Sequence, residues 1–92
     1  MDSPKKSSVM MLMYRYESPH IPLEIVVKDF FSHMQMDQAK RRAAKQDFPF
    51  PVYRLEKSTK APFFVSVEAL ANYLDNQAKI GKQDFDNLHH AV

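Results

Sequence analysis

The sequence predicts an α+β fold, with about three helices and a small antiparallel sheet in one small domain. Three observations favour this class. The 92 residues are 45% apolar and 26% charged, a globular composition large enough for one hydrophobic core. Apolar residues recur at helical spacing in segments 22–34 and 66–78. Segments 52–55 and 63–65 are short and rich in β-branched and aromatic residues, which is typical of strands.

The first sixteen residues divide into a polar leader and a predicted strand. Residues 1–8 contain a proline and two lysines, and we expect them to be disordered. Residues 9–16 are rich in Met and Tyr and are too short for a free-standing helix. They end at Glu17-Ser18-Pro19, which indicates a turn. We therefore expect residues 9–16 to form an N-terminal strand of the sheet.

Two helices are predicted next, separated by a tight turn. The first begins at Pro22, and its apolar stripe follows Leu23 at spacings of 3, 4, 7, 8 and 11 residues. Residues 32–35 interrupt the pattern. The second helix, at 36–46, is short and basic, and it carries two alanines, at 39 and 43, on one face.

A corner, a hairpin and a last helix complete the predicted elements. Residues 48–51 alternate Phe and Pro and cannot continue a helix, because proline has no N–H and disfavours helical geometry in the residue before it. Segments 52–55 and 63–65 flank a polar connection and suit a β-hairpin, or wing, with a basic tip. Ser66 is predicted to cap a third helix that runs to about Ala78.

The remaining residues, 79–92, are predicted to form a tail. Gly81 is expected to break the helical pattern, and only Phe85, Leu88 and Val92 remain as apolar anchors beyond residue 82. Such a tail is a candidate contact between copies of the chain.

Helix, tight turn, basic helix, hairpin and closing helix is the order found in winged helix-turn-helix DNA-binding domains. The predicted domain covers residues 9–78, between the leader and the tail. Residues 35–60 hold seven basic and three acidic side chains, a net charge of +4, within a chain whose total is only +2. A basic helix can enter the major groove, about 12 Å wide, while a basic hairpin tip reaches the flanking backbone or the minor groove.

Two sets of side chains are therefore candidates for DNA contact. In the recognition helix they are Gln38, Lys40, Arg41, Arg42 and Lys45. In the wing they are Arg54, Lys57, Ser58, Thr59 and Lys60. Arginine can bond guanine, and glutamine adenine, through two hydrogen bonds each. The pattern does not separate base contacts from phosphate contacts.

Other kinds of chemistry find little support in the sequence. The absence of cysteine excludes disulfides, a thiol nucleophile and thiolate metal sites, and a single glycine excludes Gly-rich phosphate loops. The four histidines have no recognised metal-ligand spacing, and the acidic residues are scattered. We therefore expect no catalytic residues, no metal and no cofactor. No segment approaches the roughly 20 apolar residues of a membrane helix, so we expect a cytoplasmic, nucleoid-associated bacterial protein without a membrane partner.

Five segments of the chain together form a recognisable pattern: MLMYRY at 11–16, IPLE at 21–24, KDFFSH at 28–33, PVYRLE at 51–56 and LANYLD at 70–75. In their order and spacing they resemble the pyocin activator protein (PrtN) family. The resemblance covers residues 9–75, and IPLE followed by DFFSH is its most specific part. It implies a winged helix-turn-helix regulator, related to phage excisionases, that binds promoter DNA and activates bacteriocin genes, or controls excision in mobile-element relatives.

The sequence departs from this family at two places. Lys45-Gln46-Asp47 stands where the family has Ala-Gly-Glu after the second helix, so the usual glycine at the helix end is missing. The wing, at residues 60–63, also lacks a glycine that the family usually carries.

Three functions are compatible with this sequence. The leading hypothesis is a sequence-specific transcription activator of phage or bacteriocin-type genes. The second is an excisionase-like directionality factor that bends DNA and assists an integrase. The third is a phage-encoded inhibitor that binds a host protein through the same scaffold. The expected partners are double-stranded DNA, a second copy of the chain in a homodimer or cooperative oligomer on DNA, and an integrase or the transcription machinery.

Overall fold

Residues 5–90, which the computed structural model describes, form four helices and a three-stranded antiparallel sheet. In chain order the elements are α1 (Lys6–Tyr16), β1 (His20–Pro22), α2 (Leu23–Phe30), α3 (Met36–Ala44), β2 (Tyr53–Arg54), β3 (Phe63–Ser66) and α4 (Val67–His90). The predicted α+β class is confirmed, with one helix more than expected. The two predicted helices after Pro22 are also confirmed, although α2 ends at Phe30 and α3 at Ala44.

The sheet has the order β1-β3-β2, with β3 in the centre. β1 pairs antiparallel with β3 through Ile21 and Val65, and β2 pairs antiparallel with β3 through Tyr53 and Phe64. The predicted hairpin is therefore confirmed. Pro22 lies in the edge strand β1 instead of in the first turn of α2, a position where its missing N–H is tolerated.

The predicted N-terminal strand is wrong, because residues 9–16 belong to helix α1. Residues 6–8, which were expected to lie in a disordered leader, form the first turn of the same helix. Residues 1–4 of that leader lie outside the described residues. Val9, Leu12 and Tyr16 pack against the core at helical spacing, and tertiary packing stabilises helices too short to exist alone. The third strand of the sheet is β1 instead.

The predicted break at Gly81 is also wrong, because α4 continues through it to His90. A glycine in a helix interior costs about 1 kcal/mol relative to alanine, which the neighbouring turns can offset. Lys82 and Asp86, four residues apart, form an ion pair of 2.7 Å across the following turn. The start of α4 is as predicted, since the Ser66 hydroxyl accepts a hydrogen bond from the Ala69 N–H.

The core of the described residues is entirely apolar. Its largest fully buried side chains come from the sheet, α2 and the first turns of α4: Ile21, Leu23, Val26, Val65, Val67 and Leu70. The Phe-Pro corner packs inward, with the rings of Phe48 and Phe50 stacked at 5.6 Å between centroids. Phe31 and Tyr73 complete this aromatic cluster, which ties the chain after α3 to α2 and α4.

Polar contacts fasten α1 along the domain. Its first turn meets Asp75 of α4, whose carboxylate accepts hydrogen bonds from the Lys5 N–H and the Ser8 hydroxyl at 2.9 and 2.7 Å. These two bonds lower the pKa of Asp75. At its other end, Tyr16 donates to Asp29 of α2 at 2.6 Å. α1 and α4 therefore run antiparallel, side by side.

Candidate nucleic-acid interface

A tight turn between α2 and α3 fixes the position of α3 on the domain. The Met34 N–H donates to the Phe31 carbonyl at 2.9 Å, and the Met34 side chain is buried beneath the turn. Ala39 and Ala43 of α3 have no exposed surface. Alanine side chains allow the helix backbone to lie close against the core. The opposite side of α3 therefore faces solvent along its whole length.

The solvent side of α3 carries most of the predicted recognition residues. At 3.6 residues per turn, Arg41 lies directly opposite Ala39 and Ala43, with Asp37 on one side of it and Lys45 and Gln38 on the other. All four side chains are exposed. We call the surface formed by Gln38, Arg41 and Lys45 the outer face of α3. Lys40 and Arg42 lie on the two flanks of this face.

Arg42 differs from the other basic residues of α3, because its guanidinium is engaged within the domain. Its Nε donates to the Asp47 carbonyl at 3.1 Å and lies 3.7 Å from the Asp47 carboxylate. Its Cζ lies 5.1 Å from the centre of the Phe48 ring, a cation–π contact. Arg42 thus fastens the chain that leaves α3 and holds the corner against the helix.

The end of α3 shows how the chain compensates for the missing glycine. The Gln46 N–H donates to the Ala43 carbonyl, and the Asp47 N–H donates to the Arg42 carbonyl, the two bonds of a Schellman cap. This cap places Gln46 in the left-handed region, with φ of 53°. The Gln46 amide also bonds both backbone groups of Val52, donating to its carbonyl at 2.8 Å and accepting from its N–H at 3.3 Å. These bonds tie the end of α3 to the start of the hairpin.

The hairpin tip, residues 55–62, is closed by Arg54 from the strand below it. The Arg54 guanidinium donates to the carbonyls of Ala61 and Thr59, at 3.1 and 3.4 Å. Its Cζ lies 4.0 Å from the centre of the Phe63 ring on β3. Arg54 therefore has the same structural role in the hairpin that Arg42 has beside α3.

Ser58 also builds the tip. Its hydroxyl accepts a hydrogen bond from the Lys60 N–H at 3.2 Å, and its carbonyl accepts from the Ala61 N–H at 3.1 Å. These bonds form a turn without the glycine that the family resemblance led us to expect. The side chains of Lys57, Thr59 and Lys60 are left exposed on its surface.

A cleft of about 450 Å³ joins α3 to the hairpin tip. Lys40 lines it from α3, and Thr59 and Lys60 line it from the tip. Met36 and Phe63 form apolar parts of its wall. The cleft therefore places Lys40 of the predicted helix set beside Thr59 and Lys60 of the predicted wing set.

Two further side chains near these elements have no functional signal in the sequence. Glu24, in the first turn of α2, lines the cleft and adds a negative charge near Lys40 and Lys60. Leu55, at the base of the hairpin tip, is 57% exposed although it is apolar. Nothing in the sequence indicates that a leucine within a predicted strand is exposed. In the sequence, Glu24 stands out only as the last residue of the IPLE segment.

No helix in the described part of the chain combines the length and apolarity needed to cross a membrane. Within residues 5–90, no three His, Asp or Glu side chains converge as metal ligands would. His20 instead lies against Tyr53, with its Nδ1 2.8 Å from the tyrosine hydroxyl, and links β1 to β2.

Comparison with known proteins gives one clear match. The sequence model of the family described as pyocin activator protein PrtN matches residues 8–80, well over half of the chain. The chain belongs to this family. Pyocin activator proteins are regulatory activators and are not a family of enzymes. The chain therefore has a role in transcription activation. No curated protein and no solved structure matches the sequence.

Proposed function

We propose that this protein is a winged helix-turn-helix activator that binds duplex DNA with the outer face of α3 and with the hairpin tip. The observation that carries the proposal is the shared cleft, lined by Lys40 on α3 and by Lys60 on the tip. The cleft supports a shared DNA surface because Lys40 and Lys60, twenty positions apart in the sequence, line it together. Their charge, +4 over residues 35–60, would displace counterions from the DNA backbone.

The size and surface of α3 suit the major groove. Its nine residues make a helix about 13 Å long, and the groove is about 12 Å wide. Arg41, at the centre of the outer face, can bond guanine through two hydrogen bonds, and Gln38 can bond adenine in the same way. Lys45 is placed to reach a phosphate. The exposed Ala44 offers a methyl group for contact with thymine.

The hairpin tip is proposed to bind the sugar-phosphate backbone beside the groove. Lys57 and Lys60 supply positive charge, and the Thr59 hydroxyl can donate a hydrogen bond to a phosphate oxygen. Arg42 and Arg54 hold the elements in place through their contacts with the chain, so we assign them no base contact. Such contacts set the register of α3 on the duplex without reading the sequence.

Membership of the pyocin activator family supports promoter DNA as the target and phage or bacteriocin-type genes as the regulated genes. A protein with this role binds near a promoter and favours recruitment of the transcription machinery. The chain needs no cofactor for this role.

Binding of the full chain to DNA tests the proposal. In an electrophoretic mobility shift with a 30-base-pair duplex of random sequence, we expect binding at low salt that weakens steeply as the salt concentration rises. Rounds of selection from a random library should then yield a preferred sequence. If no duplex is bound at low salt, the DNA-binding proposal is wrong and a protein partner is favoured.

A matched pair of charge reversals locates the surface. Lys60→Glu changes the proposed tip, whereas Lys79→Glu makes the same change at an exposed position of α4, far along the chain from the cleft. Lys60→Glu should lower affinity for every duplex several-fold more than Lys79→Glu does. Equal effects would show that the hairpin tip is not part of the DNA surface.

A further inference from the structure

Helix α4 divides into a packed half and a projecting half. Its first nine residues contribute Val67, Leu70 and Ala71 to the core, but every residue from 76 to 89 is exposed. We call residues 76–89 the α4 arm. The length of the arm is close to the minimum at which an isolated helix is stable in water, and Gly81 lies in its interior. The arm also lies mostly beyond the matched region of the family, so family membership does not explain it.

The arm continues an apolar stripe that begins in the packed half. The stripe residues alternate at spacings of three and four, the pattern of the a and d positions of a coiled coil. In order they are Ala71, Leu74, Ala78, Gly81, Phe85 and Leu88. In the packed half, this stripe meets α1. In the arm, Phe85 is 59% and Leu88 is 81% exposed, so the stripe lacks a covering helix among the described residues.

The stripe is complementary to itself when two copies of α4 run antiparallel. In such a pair each a position faces a d position of the other helix. One register satisfies this rule along the stripe: Ala78 faces Gly81 and Leu74 faces Phe85. Leu88 is then level with Ala71, which is buried beneath α1, so Leu88 meets the groove between α1 and α4 instead. The two smallest residues then meet at the two-fold axis, where they allow close approach of the backbones, and the larger ones flank them.

Charge and shape agree with the same register. Asp75 and Lys82 follow successive d positions, and the antiparallel pairing brings Asp75 of each copy beside Lys82 of the other. The groove between α1 and α4, about 470 Å³, lies where Leu88 of the second copy would arrive. It is largely apolar and is lined by Met11, Leu12 and Leu74, with Met11 72% exposed in the single chain.

We propose that α4 is the dimerisation element of this protein, pairing antiparallel with α4 of a second copy over residues 71–88. The overlap is about 27 Å long. A helical contact of this length is at the small end of specific interfaces, so the dimer dissociates at micromolar concentrations and below. The inference goes beyond the proposed function, because the contact uses neither α3 nor the hairpin tip and forms without DNA. On DNA, it would present two copies of α3 to two half-sites.

Sedimentation equilibrium of the full chain tests the contact. The wild type should shift from monomer to dimer as its concentration rises. Phe85→Glu and Leu88→Glu should each raise the dissociation constant at least tenfold. The matched control is Ile80→Glu, which places the same charge at an exposed apolar residue of the arm but off the stripe. A wild type that stays monomeric at several hundred micromolar, or a control that dissociates as readily as the two stripe variants, would overturn the proposal.

Disulfide trapping tests the direction of pairing, since the chain has no cysteine of its own. A Cβ added at Gly81 meets no atom within 4 Å, so cysteine fits there in the single chain. Under mild oxidation, a mixture of Ala78→Cys and Gly81→Cys should form the mixed dimer faster than either variant forms its own dimer. Faster cross-linking of each variant to itself would indicate parallel helices and contradict the proposal. Circular dichroism of each variant checks that the fold is retained.

Discussion

α3 and the hairpin tip carry the two halves of the proposed DNA surface, but the fold holds them in different ways. α3 is anchored by two fully buried alanines and closed by a complete helix cap. The tip is an eight-residue loop that depends on Arg54 and Ser58 for its shape. Base recognition needs side chains at fixed positions, whereas phosphate contacts tolerate variation. Under the proposed function, α3 is therefore suited to reading sequence and the tip to binding any backbone.

Each element also contains one arginine that supports the structure. Arg42 beside α3 and Arg54 in the hairpin both donate to backbone carbonyls and lie over a phenylalanine ring. The exposed Arg41, next to Arg42 in sequence, has no such contacts among the described residues. Neighbouring arginines in one basic cluster therefore have different roles.

The largest effect is expected for Arg41→Ala on binding to the selected DNA sequence. Loss of a base contact from a rigid helix should weaken specific binding by about ten- to a hundredfold, and binding to random duplex much less. Asp37→Ala is the matched control, because it removes an exposed acidic residue of the same helix. Asp37→Ala should bind both duplexes at least as well as the wild type. If Arg41→Ala lowered affinity for the selected and the random duplex equally, other residues would have to read the bases.

Substitution of Gln46, which links α3 to the hairpin, should lower the stability of the fold strongly. Gln46→Ala loses both hydrogen bonds to Val52 and keeps a left-handed φ, so we expect the free energy of unfolding to fall by about 1–3 kcal/mol. Gln46→Gly loses the same bonds but removes the conformational strain. In urea denaturation, the glycine variant should be about 1 kcal/mol more stable than the alanine variant. An alanine variant as stable as the glycine variant would contradict the role of the cap.

Arg42→Ala and Arg54→Ala test whether these two arginines stabilise the fold while the exposed Arg41 does not. Each should lower the free energy of unfolding by about 1 kcal/mol, because each loses hydrogen bonds and a cation–π contact. Arg41→Ala, at an exposed site, should stay within about 0.5 kcal/mol of the wild type. The check is thermal or urea unfolding of the three variants side by side. Similar losses of stability in all three variants would show that Arg42 and Arg54 do not support the fold more than Arg41 does.

The smallest effect is expected for Lys57→Ala in the hairpin tip. Loss of one phosphate contact should lower affinity by a similar small factor on selected and random duplexes. The slope of the logarithm of the binding constant against the logarithm of salt concentration should fall by about 1. The measurement is a salt titration of both duplexes. A loss confined to the selected sequence would mean that the tip reads bases.

The sequence contained enough information for α2, α3, the hairpin and the start of α4, because periodicity, prolines and a capping serine all agree there. It misled at α1. Residues 9–16 are rich in methionine and tyrosine and too short to be helical alone, and what stabilises them is packing of Val9 and Leu12 against the core. Gly81 misled for a different, local reason, since helix formers on both sides outweigh one glycine.

The candidate site was predictable as a basic region but not in its division of roles. Arg41 and Arg42 look alike in sequence, and only the placement of Asp47 and Phe48 separates them. The cleft that joins Lys40 to Lys60 is a tertiary feature, formed by residues about twenty positions apart. Gln46 was recognised as a departure from the family, but its bonds to Val52 follow from the geometry of the corner.

Amide chemical-shift mapping with the selected duplex tests the central claim most directly. As DNA is added to the labelled chain, we expect the largest shifts at residues 37–45, in α3 and its C-terminal cap, with a second group at residues 57–60 of the hairpin tip. The α4 arm should change little, because its proposed contact forms without DNA. Shifts concentrated in α1 or the arm, with α3 and the tip unchanged, would contradict the account.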